Sequence, residues 1–238
     1  MKSRDATVNA NRRLAISPDR LAATVRPLFP ASCSVAAERR ATDLTGLTTQ
    51  EASAVQKAVP ERQGEFAAGR IAARRALMRI GVRSPEILVG TDRAPQWPHG
   101  TIGSISHAGD LAVAVVAPLS AIAAIGVDIE IDAAVQAELW PLLFSPDEQR
   151  WIASRPVSEQ RHWATTLFSA KEAFYKFQYP LTGRWLDFTD VEINASGDAF
   201  TLTVLEPPIP LLAGEFRGSM TRVEGLTVTA IFQLAAGI

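Results

Sequence analysis

The spacing of apolar positions divides the first half of the chain into helical and extended segments. Residues 61–80 carry apolar side chains at helical intervals and end before a glycine, which predicts a long helix. Residues 48–59 predict a shorter helix that closes before a proline. Residues 102–107 and 111–117 are β-like runs joined by a turn through Gly109, so we expect a hairpin.

The second half repeats this order of elements. A strand is predicted at 121–131 and a long helix at 158–178, which Pro180 is expected to stop. Between them Ser145, a proline and Glu148 occupy the positions of a helix start with a capping box. Short β runs follow at 187–193, 200–205, 214–222 and 226–233, the last two as a terminal hairpin.

Each half therefore holds a long helix followed by β hairpins. Segregated helices and antiparallel hairpins indicate an α+β fold. We expect two similar-sized lobes, residues 1–120 and 121–238, packed tightly because no flexible linker separates them.

Composition narrows the class of protein. The chain has 238 residues, of which 47% are hydrophobic and 21% charged. Its net charge is −1, so it has no overall positive charge that would attract nucleic acid. Cys33 is the only cysteine, which excludes intramolecular disulfides and thiolate metal cages; we expect a small strand residue rather than a reactive thiol. Residues 1–13 carry no apolar run and predict a disordered start, and no window resembles a bilayer span. We expect a soluble, cytoplasmic protein.

Two acidic residues lie on one face of the predicted strand 121–131. Asp128 and Glu130 are two positions apart, so both side chains project to the same side. Paired carboxylates repel unless a cation lies between them, and a hard cation such as Mg²⁺ takes oxygen ligands. The competing interpretation is a strand that emerges into solvent with two ordinary surface acids.

The long downstream helix carries Glu172 and Lys176 four positions apart, on one face. They form either an ordinary surface pair or a metal ligand beside a phosphate partner. Aromatic residues around them, Phe168, Phe174 and Phe177 among them, argue against a freely solvated helix.

Upstream, residues 103–107 offer small residues, hydroxyls and the imidazole of His107 at a strand end. Such groups suit phosphate oxygens, and the helix 61–80 adds the guanidinium groups of Arg62, Arg70 and Arg74. The competing interpretations are a β turn with a hydrogen-bonded histidine and a solvated amphipathic helix face. Neither a Walker loop nor a nucleophile elbow is present.

Together, four motifs in this order resemble those of 4′-phosphopantetheinyl transferases that activate siderophore and other nonribosomal peptide synthetases. The Gly-x-Asp-x-Glu strand is matched at 126–130 and the Phe-Ser-x-Lys-Glu-Ala-x-x-Lys helix at 168–176. The Trp-Pro-x-Gly-x-x-Gly-Ser-x-Ser-His run is matched at 97–107, and the arginine helix at 61–70 with Glu61 in place of the first basic residue. The resemblance covers most of the chain from about residue 44.

The resemblance implies a reaction. Coenzyme A donates its 4′-phosphopantetheine arm to a serine of an apo acyl or peptidyl carrier protein, and 3′,5′-ADP is released. It also implies a monomer of two α+β halves with pseudo-twofold symmetry and coenzyme A in the cleft between them. The carriers would serve peptide, polyketide or fatty-acid synthases, and the helix around 139–144 is a candidate contact.

The resemblance also assigns roles to residues. Asp128 and Glu172, with Glu130 directly or through water, would hold Mg²⁺ or Mn²⁺, and Lys176 would pair with the phosphates. A second set would bind the nucleotide and its 3′-phosphate: Arg62, Arg70, Arg93, Ser106 and His107. The resemblance thus implies that the lobe 1–120 binds the nucleotide of coenzyme A and that the lobe 121–238 carries the metal carboxylates and the catalytic helix. The base that accepts the serine proton stays open between Glu172, Glu130 and a water.

Two rival functions use the same residues. A non-catalytic coenzyme A-binding module would keep the fold without transfer, whereas a metal-dependent nucleotide pyrophosphohydrolase would use the carboxylates to position a water. Intact Asp128, Glu172 and Lys176 argue against the first.

Overall fold

The computed structural model of the protein describes residues 13–83, 85–205, 209 and 212–236. The chain divides into two compact units, residues 1–125 with 233–238 and residues 126–232. Both units combine helices with antiparallel strands, so the predicted α+β class is confirmed. Residues 1–12 of the predicted disordered start lie outside the described residues. The assignment of nucleotide and metal functions to separate lobes stays a prediction.

The first unit is built on the helix α3 and a three-stranded sheet. Its helices are α1 (Pro18–Val25), α2 (Thr49–Val55) and α3 (Pro60–Arg79), and its strands are β1 (Ser34–Arg39), β2 (Leu88–Val89), β3 (Pro95–Gln96), β4 (Thr101–Ala108) and β5 (Leu111–Pro118). The sheet order is β1-β5-β4, all antiparallel, and β2 pairs with β3. Residues 112–117 of the central strand are fully buried, because the strand is covered on both faces.

Small side chains let α3 pack closely on this sheet. Ala72, Ala73 and Ala76 are fully buried in one apolar cluster with Ala114 and Val116 of β5. The predicted helix 61–80 and hairpin 102–117 are therefore confirmed. Sequence analysis did not predict α1, although the Ser17 side chain caps its N-terminus just before a proline, the signal that was used at Ser145.

The second unit is built on the helix α6 and a five-stranded sheet. Its helices are α4 (Trp140–Leu143), α5 (Pro146–Ala153) and α6 (Val157–Thr182), and its strands are β7 (Val191–Ser196), β8 (Ala199–Val204), β9 (Glu215–Val223) and β10 (Leu226–Leu234). Strand β6 (Ile122–Ile131) begins in the first unit and continues into the second, and the sheet order is β6-β10-β9-β8-β7. The capping box of Ser145 and Glu148 is present. Glu224 and Gly225, both with positive φ, close the terminal hairpin.

The predicted stop of the long helix at Pro180 is wrong. Helix α6 continues through Pro180 to Thr182 and ends at Gly183, which adopts the left-handed conformation and donates its N–H to the carbonyl of Tyr179. The missing N–H of Pro180 removes one hydrogen bond in the last turns of a long helix, where tertiary packing keeps the rest in place. At 26 residues α6 has the length of a membrane span, but no helix of the described residues is also sufficiently apolar to cross a bilayer.

Cys33 lies just before β1 and is only 4% exposed. Burial raises the pKa of its thiol to about 11, and the nearby charge of Arg26 and a hydrogen bond with Ser32 offset this only in part. The neutral thiol is therefore the dominant form at neutral pH, which agrees with a structural rather than a reactive cysteine.

We predict that Cys33 resists a thiolate-specific reagent in the folded protein. At pH 8 its labelling by a chromogenic disulfide should be roughly 100-fold slower than in urea, because the raised pKa lowers the thiolate fraction by about that factor. The rate should climb as the pH approaches about 11. Equal rates in folded and unfolded protein would contradict the assignment.

Candidate active site

Strand β6 places its acidic residues as the alternation predicted. Val127 and Ile129 are fully buried and Ile131 is 5% exposed, so these three side chains pack into the core. Asp128 is itself only 2% exposed, whereas Glu130 is partly exposed. Asp128 is therefore not an ordinary surface acid, and its burial requires partners.

Gly126 fixes how closely helix α6 approaches this strand. A Cβ atom at Gly126 would lie well inside 3.0 Å of the carbonyl oxygen of Ala173, a distance that real Cβ atoms essentially never show. A side chain at this position would push the helix away from the strand. The glycine of the Gly-x-Asp-x-Glu motif is thus required by the direct contact of two backbones.

This contact brings one face of α6 against Asp128. Ser169 and Lys176 lie seven positions apart on that helix, and both reach the carboxylate. Lys176 Nζ lies 2.6 Å from Asp128 Oδ1, and Ser169 Oγ donates to Asp128 Oδ2 at 2.8 Å. The hydroxyl of Ser169 also lies 2.8 Å from Thr229 Oγ1, and both residues are fully buried, so Ser169 is itself held in place beside Asp128.

Three carboxylates act on the ammonium group of Lys176. Burial lowers the pKa of Lys176, but the charges of Asp128, Glu172 and Glu130 together outweigh burial and leave the pKa raised. These three acids are the candidate metal ligands of the sequence, and the charges of all three act on one ammonium group.

The chemistry of this donor set fits a hard divalent cation. Carboxylate oxygens are the ligands that Mg²⁺ prefers, and the charges of three carboxylates act at the position of Lys176. Within the described residues no three His, Cys, Asp or Glu side chains are already arranged as a metal site. A cation would therefore share Asp128 with Lys176.

The neighbouring motif residue Lys171 has a different environment. It forms a salt bridge with Glu148 at 2.6 Å, and both side chains are 1% exposed. Its Nζ also donates to the carbonyls of Leu143 and Phe188, while Glu148 accepts backbone N–H groups of Ser145 and Ile193. Burial lowers the pKa of Lys171 and raises that of Glu148. This pair anchors α6 to α5 and β7, so its role is structural.

In the first unit, Arg62 and His107 lie in contact. Arg62 Nη1 is 3.0 Å from His107 Nε2 and donates to Glu65 Oε2 at 3.2 Å. Because a guanidinium only donates, the contact with His107 requires an unprotonated Nε2. The Arg62 side chain is 52% exposed, so it is available to an anionic ligand.

Two other arginines of helix α3, Arg70 and Arg74, are engaged in the fold. Arg70 is 6% exposed, donates from Nε to the carbonyl of Ile87 and lies over the ring of Phe66. Burial lowers its pKa to about 10, so it remains a cation at neutral pH. Arg74 pairs with the buried Glu51. The phosphate role of Arg70 stays a prediction.

Strand β4 separates the side chains of Ser106 and His107. Neighbouring residues of a strand point to opposite faces, and Ser106 is 5% exposed while His107 is partly exposed. Trp97 lies over Gly103, where a Cβ would meet its ring at 2.7 Å. Arg93 is exposed in a turn with a φ of 68°. His107 contacts another predicted site residue, Arg62.

Comparison with known proteins identifies the family. The N-terminal domain of 4′-phosphopantetheinyl transferases matches residues 50–117, and the 4′-phosphopantetheinyl transferase superfamily matches residues 124–220. The 4′-phosphopantetheinyl transferase Svp of Streptomyces mobaraensis is 39% identical over 191 residues, 78% of each chain. This chain belongs to the 4′-phosphopantetheinyl transferase family.

Further relatives agree with this membership. The 4′-phosphopantetheinyl transferase PptT of Mycobacterium tuberculosis is 35% identical over 204 residues, which cover 79% of this chain and 88% of PptT. Component D of enterobactin synthase from Salmonella typhi is 40% identical over 119 residues, 49% of this chain and 48% of that protein.

The predicted activity is thereby confirmed. The transferase moves the 4′-phosphopantetheine arm of coenzyme A to a serine of an apo carrier protein and releases 3′,5′-ADP. The two rival functions, a coenzyme A-binding module and a pyrophosphohydrolase, find no support among these relatives.

Three residues of the transferase that support the site were not predicted. Ser169 belongs to a recognised motif, but its bond to Asp128 depends on packing across 41 positions. The local sequence does not indicate a role at the site for Thr229 or Glu148. A threonine is common in a strand, and a glutamate at this position completes a capping box, so neither residue needs a further explanation.

We predict that Gly126→Ala damages the transferase. The added methyl group has to displace the backbone of α6 at Ala173, so the free energy of unfolding should fall by about 1–3 kcal/mol and activity should be lost with the alignment of Lys176 and Asp128. Urea unfolding and a carrier-transfer assay measure both.

Gly197→Ala is the matched control. Its φ of 62° makes alanine unfavourable by about 1 kcal/mol, but nothing lies within 4 Å of an added Cβ, so activity should be retained. If Gly126→Ala were as active as this control, the backbone contact would not be essential.

Proposed function

We propose that this transferase holds a divalent cation, Mg²⁺ in preference to Mn²⁺, on Asp128, Glu130 and Glu172. The observation that carries the proposal is the position of Asp128: its side chain is buried, its carboxylate lies 2.6 Å from Lys176 Nζ, and the charges of Glu130 and Glu172 act on the same ammonium group. When bound there, the cation would neutralise the negative charge that develops on the leaving phosphate.

The side chains around the cation have separable roles. Ser169 keeps the carboxylate of Asp128 in one orientation through its bond to Oδ2. Lys176 pairs with phosphate oxygens of coenzyme A, and it is suited to do so because its neighbours keep it protonated.

The transfer is a displacement at phosphorus, in which one bond to phosphorus forms and another breaks. The serine oxygen of the carrier forms a bond to the phosphorus that carries the pantetheine arm, and the bond from this phosphorus to the bridging oxygen breaks. The electron pair leaves with 3′,5′-ADP. One of the two partly exposed carboxylates, Glu130 or Glu172, accepts the serine proton directly or through water.

The nucleotide end of coenzyme A is bound, in this proposal, by Arg62 and His107. Their contact at 3.0 Å and the exposure of Arg62 support it, since a guanidinium fork and an imidazole suit a phosphate. Arg70, Arg93 and Ser106 are proposed as supporting residues. Arg70 and Ser106 are buried, so only a small part of each side chain is accessible to a ligand.

The apo carrier protein is proposed to contact the apolar side chains before and within α4. Leu139 and Leu142 are 40% and 71% exposed, more than is usual for leucine in a folded unit. We also propose a monomer that acts in the cytoplasm, where coenzyme A and apo carriers are present. Because one relative is named component D of enterobactin synthase, we propose a carrier protein of a siderophore synthase as the partner.

We predict that the purified protein, coenzyme A and Mg²⁺ together add the phosphopantetheine mass to an apo carrier domain. Asp128→Asn keeps the shape of the side chain but removes a charged ligand, so transfer should fall by at least about 100-fold. Mass spectrometry of the intact carrier measures the product.

Glu159→Gln is the control, because Glu159 is an exposed acid in the first turn of the same helix α6. It should transfer at the rate of the unchanged protein. Undiminished transfer by a folded Asp128→Asn variant would refute the cation assignment, and release of free phosphopantetheine without carrier modification would instead indicate hydrolysis.

Arg62→Ala should raise the KM for coenzyme A roughly 10-fold with little change in kcat, since a charge-assisted contact to a ground-state phosphate is lost. Arg75 is a matched control on the same helix: its side chain is 53% exposed, against 52% for Arg62, and it pairs with Glu38. Arg75→Ala should leave KM unchanged.

Coenzyme A without its 3′-phosphate identifies the group that Arg62 contacts. The KM difference between the unchanged protein and Arg62→Ala should disappear with this substrate if the 3′-phosphate is the partner. A KM that is the same for both proteins with intact coenzyme A would contradict the assignment.

A further inference from the structure

A pocket lies in the first unit, between helix α1, the start of β1 and the C-terminal end of α3. Its volume is about 500 Å³, within the range of small-molecule sites. Its polar lining comes from separate elements: Arg26 follows α1, Ser32 and Ser34 lie at the start of β1, and Arg79 lies in the last turn of α3.

Among the residues that the structure describes, neither arginine of this pocket has a carboxylate partner. Arg26 Nη1 donates to the carbonyl of Phe29 at 2.9 Å, and Arg79 Nη1 donates to the carbonyl of Val35 at 2.7 Å. Each guanidinium is thus fixed by one backbone bond. No salt bridge to either one occurs in the part of the chain that the structure describes, although Asp19 also lines the pocket.

The charge of the pocket is therefore positive. The charged residues that line it are two arginines and one aspartate. The positive charge of Arg26 also acts on Cys33, another lining residue. There it offsets part of the effect of burial, which raises the pKa of the thiol. Two positive charges that line one concavity favour the binding of an anion there.

This pocket is distinct from the transferase site. Arg62 and Arg79 are 17 positions apart on the one helix α3, which corresponds to about 26 Å along its axis. All lining residues except Arg79 and Ile80 precede residue 50, where the match to the family's N-terminal domain begins.

We propose that this pocket binds a small anion through an oxyanion group held by Arg26 and Arg79. Guanidinium forks match the geometry of phosphate and carboxylate oxygens, and the hydroxyls of Ser32 and Ser34 supply further donors. The ligand class is a small phosphorylated or carboxylated metabolite. The competing interpretation is a pair of solvated arginines that bind anions no better than the rest of the surface.

Titration of the ¹⁵N-labelled full-length protein tests this proposal. Inorganic phosphate and succinate are added separately, each against sodium chloride at equal ionic strength, and backbone amide shifts are followed. Amides around Arg26 and Ser32 to Val35 should shift with saturation. The probe with the lower Kd distinguishes a phosphate ligand from a carboxylate ligand. Shifts confined to the region of Arg62 and His107 would overturn the proposal.

Charge-neutralising variants complete the test. Arg26→Gln and Arg79→Gln should each weaken binding at the pocket amides by at least about 10-fold. Arg83→Gln removes the same charge from an exposed arginine outside the pocket and should leave the Kd unchanged. Equal Kd values in all three variants would overturn the proposal. If one pocket variant fails to fold, as judged by circular dichroism, the other decides the result.

Discussion

The contact of helix α6 with strand β6 at Gly126 is the constraint on which the carboxylate site depends. Because no Cβ separates the strand from the carbonyl of Ala173, the helix approaches closely enough for Ser169 and Lys176 to reach Asp128. One missing side chain therefore sets the positions of the charged ones. The predicted effect of an alanine at this position follows from geometry, not from any change of charge.

Two lysines of α6 illustrate how one helix serves both stability and chemistry. Lys171 is 1% exposed and pairs with Glu148, whereas the side chain of Lys176 is 25% exposed and lies among three carboxylates. Removal of one partner from a buried pair typically costs about 3–5 kcal/mol, so the Lys171–Glu148 pair locks the helix in place. Lys176 keeps an open side, which a ligand requires.

Local patterns predicted most of the elements because short windows contain their causes. The capping box at Ser145 and the turn at Gly225 are examples, and the separation of Ser106 from His107 follows from the alternation of a strand that was itself predicted. The stop at Pro180 was wrong because packing along a long helix outweighed one lost hydrogen bond.

The sequence alone determined the fold class, the family and the residue types of the site, since these follow from periodicity and from motifs within single segments. Only the tertiary structure decided that Asp128 is buried, that Arg70 is engaged within the fold and that Lys171 faces Glu148 rather than the carboxylate site. Burial and pairing depend on contacts through space. The partners of Asp128 lie 41 and 48 positions away, beyond the reach of any local pattern.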